Sequence, residues 1–299
     1  MEHTPEIKKQ RRKGIGGSEV SAILGLDKYS SPYKVWLLKT GRENPFGGNK
    51  YTDAGIILEQ AVVEFYQKET RYRIIKSSAQ QKVWVHPKIE YAIGMPDRFY
   101  IGNKIGKGIL ECKTTQSSID EVPETWFAQL QWYLGIVGLM YGSVAWLEHG
   151  LDFKYHEYEF DPDFFNFMLE EVRKFWENHI LTDVPPDPIN VADVERMFTR
   201  HIEGSKLEAT PEMIAVHQDL KDIRDELKQL EAKETELIDE VKFAMKDTEI
   251  VINGTKPLFT WKAIAPVKRL DISGLKEADP DVYNAWVKES PGVRKFLVK

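Results

Sequence analysis

A chain of 299 residues that is 42% hydrophobic, with 8 Trp, 12 Tyr and 14 Phe, can bury one large core and perhaps a smaller second unit. Its lone cysteine, Cys112, excludes a disulfide framework and a cysteine-based zinc site, and the charged start holds no apolar signal core; the longest weakly polar run, residues 134–147, is too short to span a bilayer, so a reducing cytoplasmic setting is expected, with no membrane partner. The formal net charge of −6 does not exclude nucleic acid, because residues 210–249 carry 12 Asp and Glu against 6 Lys and Arg and account for all of it.

In chain order, Lys8, Lys9, Arg11, Arg12 and Lys13 form a basic run suited to phosphate contact. It leads into Gly14-Ile15-Gly16-Gly17-Ser18-Glu19, where Ser18 ahead of a periodic apolar run reads as the cap of a helix that ends before Gly25. A helix N-terminus with the Ser18 hydroxyl and Arg11 or Arg12 beside it makes a phosphate seat. The third glycine of a dinucleotide loop is missing and no Gly-Lys-Ser/Thr loop occurs, so no nucleotide cofactor is expected. Ser30-Ser31-Pro32 opens a helix over 33–40 that Gly41 closes. A further helix over 53–66 lines Leu58, Val62, Phe65 and Tyr66 along a buried stripe with Glu59 at its border, where a carboxylate is costly unless paired, metal-bound or turned to solvent.

Strands at 73–77 and 82–85 precede a hairpin built from residues 94–101, a turn through Gly102, Asn103 and Gly106, and residues 108–113. Period-two alternation puts Glu111 and Lys113 on a chemical face and Leu110 and Cys112 on a core face. If the two runs pair, Asp97 sits near Glu111. Two carboxylates about 5 Å apart at an effective dielectric near 20 repel by roughly 3 kcal/mol. A hard divalent cation removes that cost, and Mg²⁺ suits two carboxylates and a substrate phosphate. Lys113 would hold or activate the attacking water and offset charge on the phosphate, a pattern that suggests metal-assisted phosphodiester hydrolysis. Downstream, a helix over 125–134 puts Gln129 and Tyr133 on one face, and Gln129 or Gln131 is the candidate contact to the DNA backbone or a metal-bound water. Residues 144–149 and 155–160 read as a closing strand pair and 163–180 as a final amphipathic helix, giving an α/β core of about 180 residues.

Taken together, Gly14 to Glu19, Gly55 to Glu59, Met95-Pro96-Asp97, Glu111-Cys112-Lys113 and Ala128-Gln129-Leu130-Gln131 resemble the YqaJ-type viral recombinase group, relatives of phage lambda exonuclease within the PD-(D/E)xK nucleases. The resemblance spans roughly residues 11–180 and implies a restriction-endonuclease-like mixed central sheet flanked by helices. It implies that Asp97, Glu111, the backbone carbonyl of Cys112 and Glu59 hold Mg²⁺, with Mn²⁺ able to substitute. It makes Lys113 the catalytic lysine, has Ser18 with Arg11 or Arg12 grip a 5′-phosphate, and matches Gln129 or Gln131 to the family glutamine. The implied activity is 5′ to 3′ digestion of one strand of linear double-stranded DNA, leaving 3′ single strands for phage-type recombination in a bacterial host. A homo-oligomer, a trimer by resemblance, and a single-strand annealing recombinase partner come with it. The rivals are a structure-selective or restriction-like endonuclease using the same site, and a catalytically inactive DNA-binding or assembly module.

The nuclease domain is expected over 1–183 and a Pro-rich linker over 184–209. A coiled-coil-like helix over 210–247 follows, with apolar residues at Met213, Val216, Leu220, Ile223, Leu227, Leu230, Leu237, Val241 and Ala244, a 3-4 repeat broken by Glu234. About 35 residues of helix reach roughly 50 Å. The remainder, 248–299, reads as a small subdomain with a hairpin at Asn253-Gly254 and interspersed basic and aromatic residues, an extension that the short lambda-type chain lacks.

Overall fold

The computed structural model describes residues 5–44, 47–75, 82–102, 106–288 and 292–298. It divides into two compact units, Met1–Met197 and Phe198–Lys299. In the first, helices α1 (Pro5–Arg12), α2 (Gly17–Ile23), α3 (Pro32–Lys39) and α4 (Lys50–Thr70) precede strands β1 (Arg73–Ile75), β2 (Trp84–His86), β3 (Ile89–Gly94), β4 (Arg98–Gly102) and β5 (Gly106–Thr115). Helix α5 (Glu124–Val137), strands β6 (Tyr141–Glu148) and β7 (Asp152–Glu159), and helices α6 (Pro162–Phe175) and α7 (Val191–Met197) complete it, with a π-helical turn over Trp176–Ile180.

The predicted α/β architecture is present as a five-stranded mixed sheet, ordered β1-β4-β5-β6-β7, with helices against both faces. Within this sheet, among the described residues, only β5 and β6 pair in parallel, and α5 supplies the crossover that a parallel pair requires. Alternation along the central strands feeds two cores. Phe99, Ile109, Val144 and Trp146 join the larger cluster with α2, α3, α5 and α6, while Tyr100, Leu110, Ala145 and Leu147 pack with Val62, Val63 and Tyr66 of α4. The hairpin therefore has apolar residues on both faces, and the chemical residues occupy only the end of β5.

Local chemistry explains several boundaries. Ser31 caps α3 by accepting from the Lys34 N–H at 3.1 Å, and Asn49 caps α4 by accepting from the Tyr51 and Thr52 N–H groups. Gly138, at φ 75°, ends α5. The apolar run over 94–101 is not one strand. Gly94 ends β3, β4 begins at Arg98, and Pro96 between them has no N–H with which to continue a ladder. Gly16, not Ser18, is the cap position of α2, and its N–H donates to Glu19 Oε2 at 2.8 Å. On α4 the buried face is Val62, Val63 and Tyr66, whereas Phe65 turns outward. The hairpin tip at 103–105 and the end of the strand expected over 73–77 lie outside the described residues.

The first unit extends past the expected boundary at 183. Asp193 of α7 is buried and accepts from the Ser31 hydroxyl at 2.6 Å and from the Ile189 N–H at 3.2 Å, so this part of the segment expected as a linker is anchored to the fold. In the second unit, α8 (Pro211–Met245) starts where Thr210 accepts from the Met213 N–H at 3.3 Å. Strands β8 (Ile250–Asn253) and β9 (Lys256–Thr260) form an antiparallel hairpin, followed by α9 (Ile272–Ala278) and α10 (Pro280–Trp286). Among the described residues no helix is long and apolar enough to cross a membrane.

Candidate active site

The β4–β5 register pairs Arg98 with Leu110, so the next step outward sets Asp97 beside Glu111. Asp97 Oδ2 accepts from the Cys112 N–H at 2.8 Å, which fixes the aspartate to the edge of β5. Two residues along one strand face, Lys113 Nζ donates to Glu111 Oε1 at 2.9 Å. Gln129 on α5 bridges the pair, accepting from Lys113 Nζ at 2.8 Å and donating to Glu111 Oε1 at 2.7 Å. The same Gln129 amide donates to the Tyr133 hydroxyl at 3.0 Å.

Burial dominates the electrostatics. Glu111 is only 2% exposed. Desolvation, then the neighbouring Glu111 charge, pushes the Asp97 carboxyl well above its ordinary pKa, and desolvation raises Glu111 as well. Desolvation works against the Lys113 charge, but Glu111 and Asp97 outweigh it and hold the ammonium above the usual lysine value. Burial followed by the same two carboxylates drives the Cys112 thiol far up, so Cys112 is no nucleophile here.

A carboxylate oxygen this deep needs a partner, and Glu111 Oε2 has none among the described residues. With Asp97 alongside, that orphaned oxygen is the observation that fits a hard cation, which takes oxygen donors and offsets both charges. Among the described residues no three His, Cys, Asp or Glu side chains converge as a complete metal cage. Glu59 lines the same cavity but is ion-paired to Arg98, which also donates to the Asp97 carbonyl at 2.7 Å.

The cavity, about 590 Å³, is bounded by Asp97, Glu59, Arg98, Gln129 and Tyr133 and, from the N-terminal segment, by Arg11 and Ser18. That segment is pinned to β3, since the Ile15 N–H donates to the Tyr91 carbonyl at 2.6 Å and the Ile93 N–H donates to the Ile15 carbonyl at 3.0 Å. Behind it lies an ion pair that the sequence did not suggest. Lys39 Nζ sits 2.7 Å from Glu19 Oε1 and donates to the Arg11 carbonyl at 2.6 Å. With Glu19 holding the Gly16 N–H, one buried lysine ties α1 and the start of α2 into a single piece.

Two open choices are thus separated by position. Arg11 lines the cavity with Ser18, while Arg12 is exposed and does not line it. Gln129 lies between Glu111 and Lys113. Gln131 does not reach them; it is fully buried, donates to the Glu159 carbonyl and accepts from the Asp161 N–H, both at 2.8 Å, and so joins β7 to α6. Arg98, Tyr133, Glu19 and Lys39 were missed as site residues. Adjacency to Asp97 could have pointed to Arg98, and one helical turn from Gln129 to Tyr133.

Comparison with known proteins identifies the family. Residues 6–140 match the model of the YqaJ-like viral recombinase domain. The YqaJ protein of Bacillus subtilis (strain 168) is 30% identical over 305 residues, covering 97% of this chain and 92% of that one. Among solved structures, the alkaline exonuclease LHK-Exo of Laribacter hongkongensis is 16% identical, with a TM-score of 0.48 over 60% of this chain and 94% of its own. A phage-related exonuclease of Haemophilus somnus 129PT is 14% identical, with a TM-score of 0.44 over 57% and 96%. On the near full-length match to YqaJ and the match of residues 6–140 to the domain model, the chain belongs to the YqaJ-like viral recombinase family.

Proposed function

We propose that this protein is a Mg²⁺-dependent deoxyribonuclease that digests one strand of linear double-stranded DNA from a 5′-phosphorylated end. The observation that carries the proposal is the buried Glu111, with its unpartnered oxygen, held between Asp97 and Lys113, where Asp97 and Gln129 line a cavity that Arg11 and Ser18 also line. Asp97, Glu111 and the Cys112 carbonyl hold the cation, with Glu59 joining them if Arg98 releases it. A bound Mg²⁺ or Mn²⁺ supplies Lewis acidity and charge neutralisation at the scissile phosphate.

The chain's own groups do the rest. Glu111 and Asp97 hold the Lys113 ammonium above the usual lysine value, which suits it to orienting the attacking water and offsetting phosphate charge. Gln129 holds the Lys113 ammonium and the Glu111 carboxylate in one orientation. Arg11 supplies a guanidinium suited to a terminal phosphate, and the Ser18 hydroxyl a donor beside it. Family membership supports a role in recombination with a single-strand annealing partner, a closed homo-oligomer such as a trimer, and action in the host cytoplasm.

The test is digestion of 5′-phosphorylated linear duplex and covalently closed circular DNA, with Mg²⁺ or with EDTA, alongside Lys113→Ala. Loss of linear DNA alone, dependent on Mg²⁺ and abolished by the substitution, is the expected result. Cutting of the circle would replace an end-dependent exonuclease with an endonuclease. No cleavage of either DNA would leave a binding or assembly module.

A further inference from the structure

Most of the α8 face that carries the 3-4 repeat is exposed in the single chain, with Leu220 and Val241 half-buried. Met213, Val216, Ile223, Leu227, Leu230 and Leu237 are each between 49% and 62% exposed. A row of large apolar side chains along about 36 Å of helix is a seam without its partner strand. Charge on the seam and its flanks identifies that partner. We infer that α8 pairs antiparallel with α8 of a second copy of this chain, Leu227 of each lying against Leu230 of the other.

The broken repeat selects the direction. Glu234 occupies a core position, so an in-register parallel pair would bury two Glu234 carboxylates against each other. In the antiparallel register Glu234 lies opposite the second copy's Ile223, so the two carboxylates fall in separate layers, and Leu220 meets Leu237 while Val216 meets Val241. The flanks select the register. Glu226 faces the second copy's Lys233 and Arg224 faces its Glu231, and two-fold symmetry makes each contact twice. Sliding the pair by one heptad sets Glu226 on Glu226 and Arg224 on Arg224. Sliding it the other way sets Lys233 on Lys233 and Glu231 on Glu231. The favoured register has one repulsive contact, Asp219 against Glu240, towards the exposed ends where solvent screens it. Among the described residues Glu226, Glu231 and Lys233 form no ion pair within their own chain, and Arg224 makes one long hydrogen bond, to the Val298 carbonyl at 3.4 Å, which leaves its other donors for the second copy's Glu231. Such a contact is self-complementary and closes at two copies, so it joins two chains, or two larger assemblies, without extending into a filament.

Sedimentation of the full-length chain across a concentration series tests this. A twofold rise in mass is expected, and Lys233→Glu should move it to about tenfold higher concentration by replacing two attractions with two repulsions. Glu226→Lys added to Lys233→Glu exchanges the charges and should restore it, with circular dichroism reporting that each variant keeps its helix. Cysteines replacing Glu226 and Lys233 in one chain lie two helical turns apart, too far to bridge each other, and should oxidise to a covalent dimer. Cysteines replacing Glu226 and Glu231, which face each other only in a parallel pair, should not. Mass that does not depend on concentration, indifference to Lys233→Glu, or a bridge in the second cysteine pair would each overturn the pairing.

Discussion

Gln129 has two hydrogen-bonding ends, and both are used to hold charge: its carbonyl accepts from Lys113 and its amide donates to Glu111. Gln129→Ala should leave both charges in place but free to rotate, and a catalytic group displaced by about 1 Å costs on the order of 10²-fold in rate. The expected result is therefore a lower kcat with KM nearly unchanged, read in steady-state digestion. Lys39 acts one shell further out. Removing its ammonium leaves Glu19 Oε1 and the Arg11 carbonyl without that donor, so Lys39→Met should cut the preference for 5′-phosphorylated over 5′-hydroxyl ends by about tenfold, the worth of one charge-assisted hydrogen bond. An equal fall on both substrates would mean that the lysine only supports the fold. These residues also mark what the sequence could reveal. Asp97, Glu111 and Lys113 meet through one hairpin, so strand periodicity alone brings them together. Lys39 and Glu19 meet across two helices with no common period, and nothing local announces the pair.

At the scale of elements, the site depends on how closely α2 approaches α5. A Cβ on Gly17 would lie 2.8 Å from both Gln129 Cγ and Tyr133 Cε1, a distance that real side chains do not tolerate. Gly17→Ala should therefore push α2 away from Gln129 and Tyr133, beside Glu111 and Lys113, at a cost of about 1–3 kcal/mol for overpacking. A lower Tm for the first unit together with reduced cleavage is expected, whereas Gly47→Ala, with open space around it, should change neither. The periodic helices and the closing strand pair β6–β7 are legible from residue patterns, whereas the parallel pairing of β5 with β6 appears only in the fold. The face that α5 turns to the sheet is not. Gln129 and Gln131 are both polar, two apart on an apolar helix, and only the packed fold sends one to Lys113 and the other to the backbone between β7 and α6. Likewise, the Pro-rich run after Asp183 looks like a linker until Asp193 finds Ser31, a contact between residues far apart in the chain.

For the whole molecule, the two site carboxylates set stability against function. Folding raises the pKa of Asp97 and Glu111, so the folded chain keeps those protons to higher pH than the unfolded chain does. Their favourable share of stability is complete below the unfolded values and is lost as pH rises through the folded ones. Glu148 runs the other way: hydrogen bonds from Trp146 and Lys154 hold it down at about 2, so its contribution changes only in acid and does not interfere near neutrality. A divalent cation that binds the ionised pair should therefore stabilise the first unit more at about pH 8 than at about pH 5, where protons compete for the same oxygens. At 100 times its Kd a ligand adds about 2.7 kcal/mol, which for a domain of this size is a Tm rise of several degrees. Scanning calorimetry with Mg²⁺, Mn²⁺ or EDTA at both pH values measures this without any substrate, following the first unit's transition. Glu111→Gln supplies the control, because an amide keeps the shape but removes the buried charge. That variant should be more stable than the parent at the higher pH without metal, and should lose most of the metal-induced rise. Equal rises at both pH values, or a rise that survives in Glu111→Gln, would place the cation somewhere other than between Asp97 and Glu111.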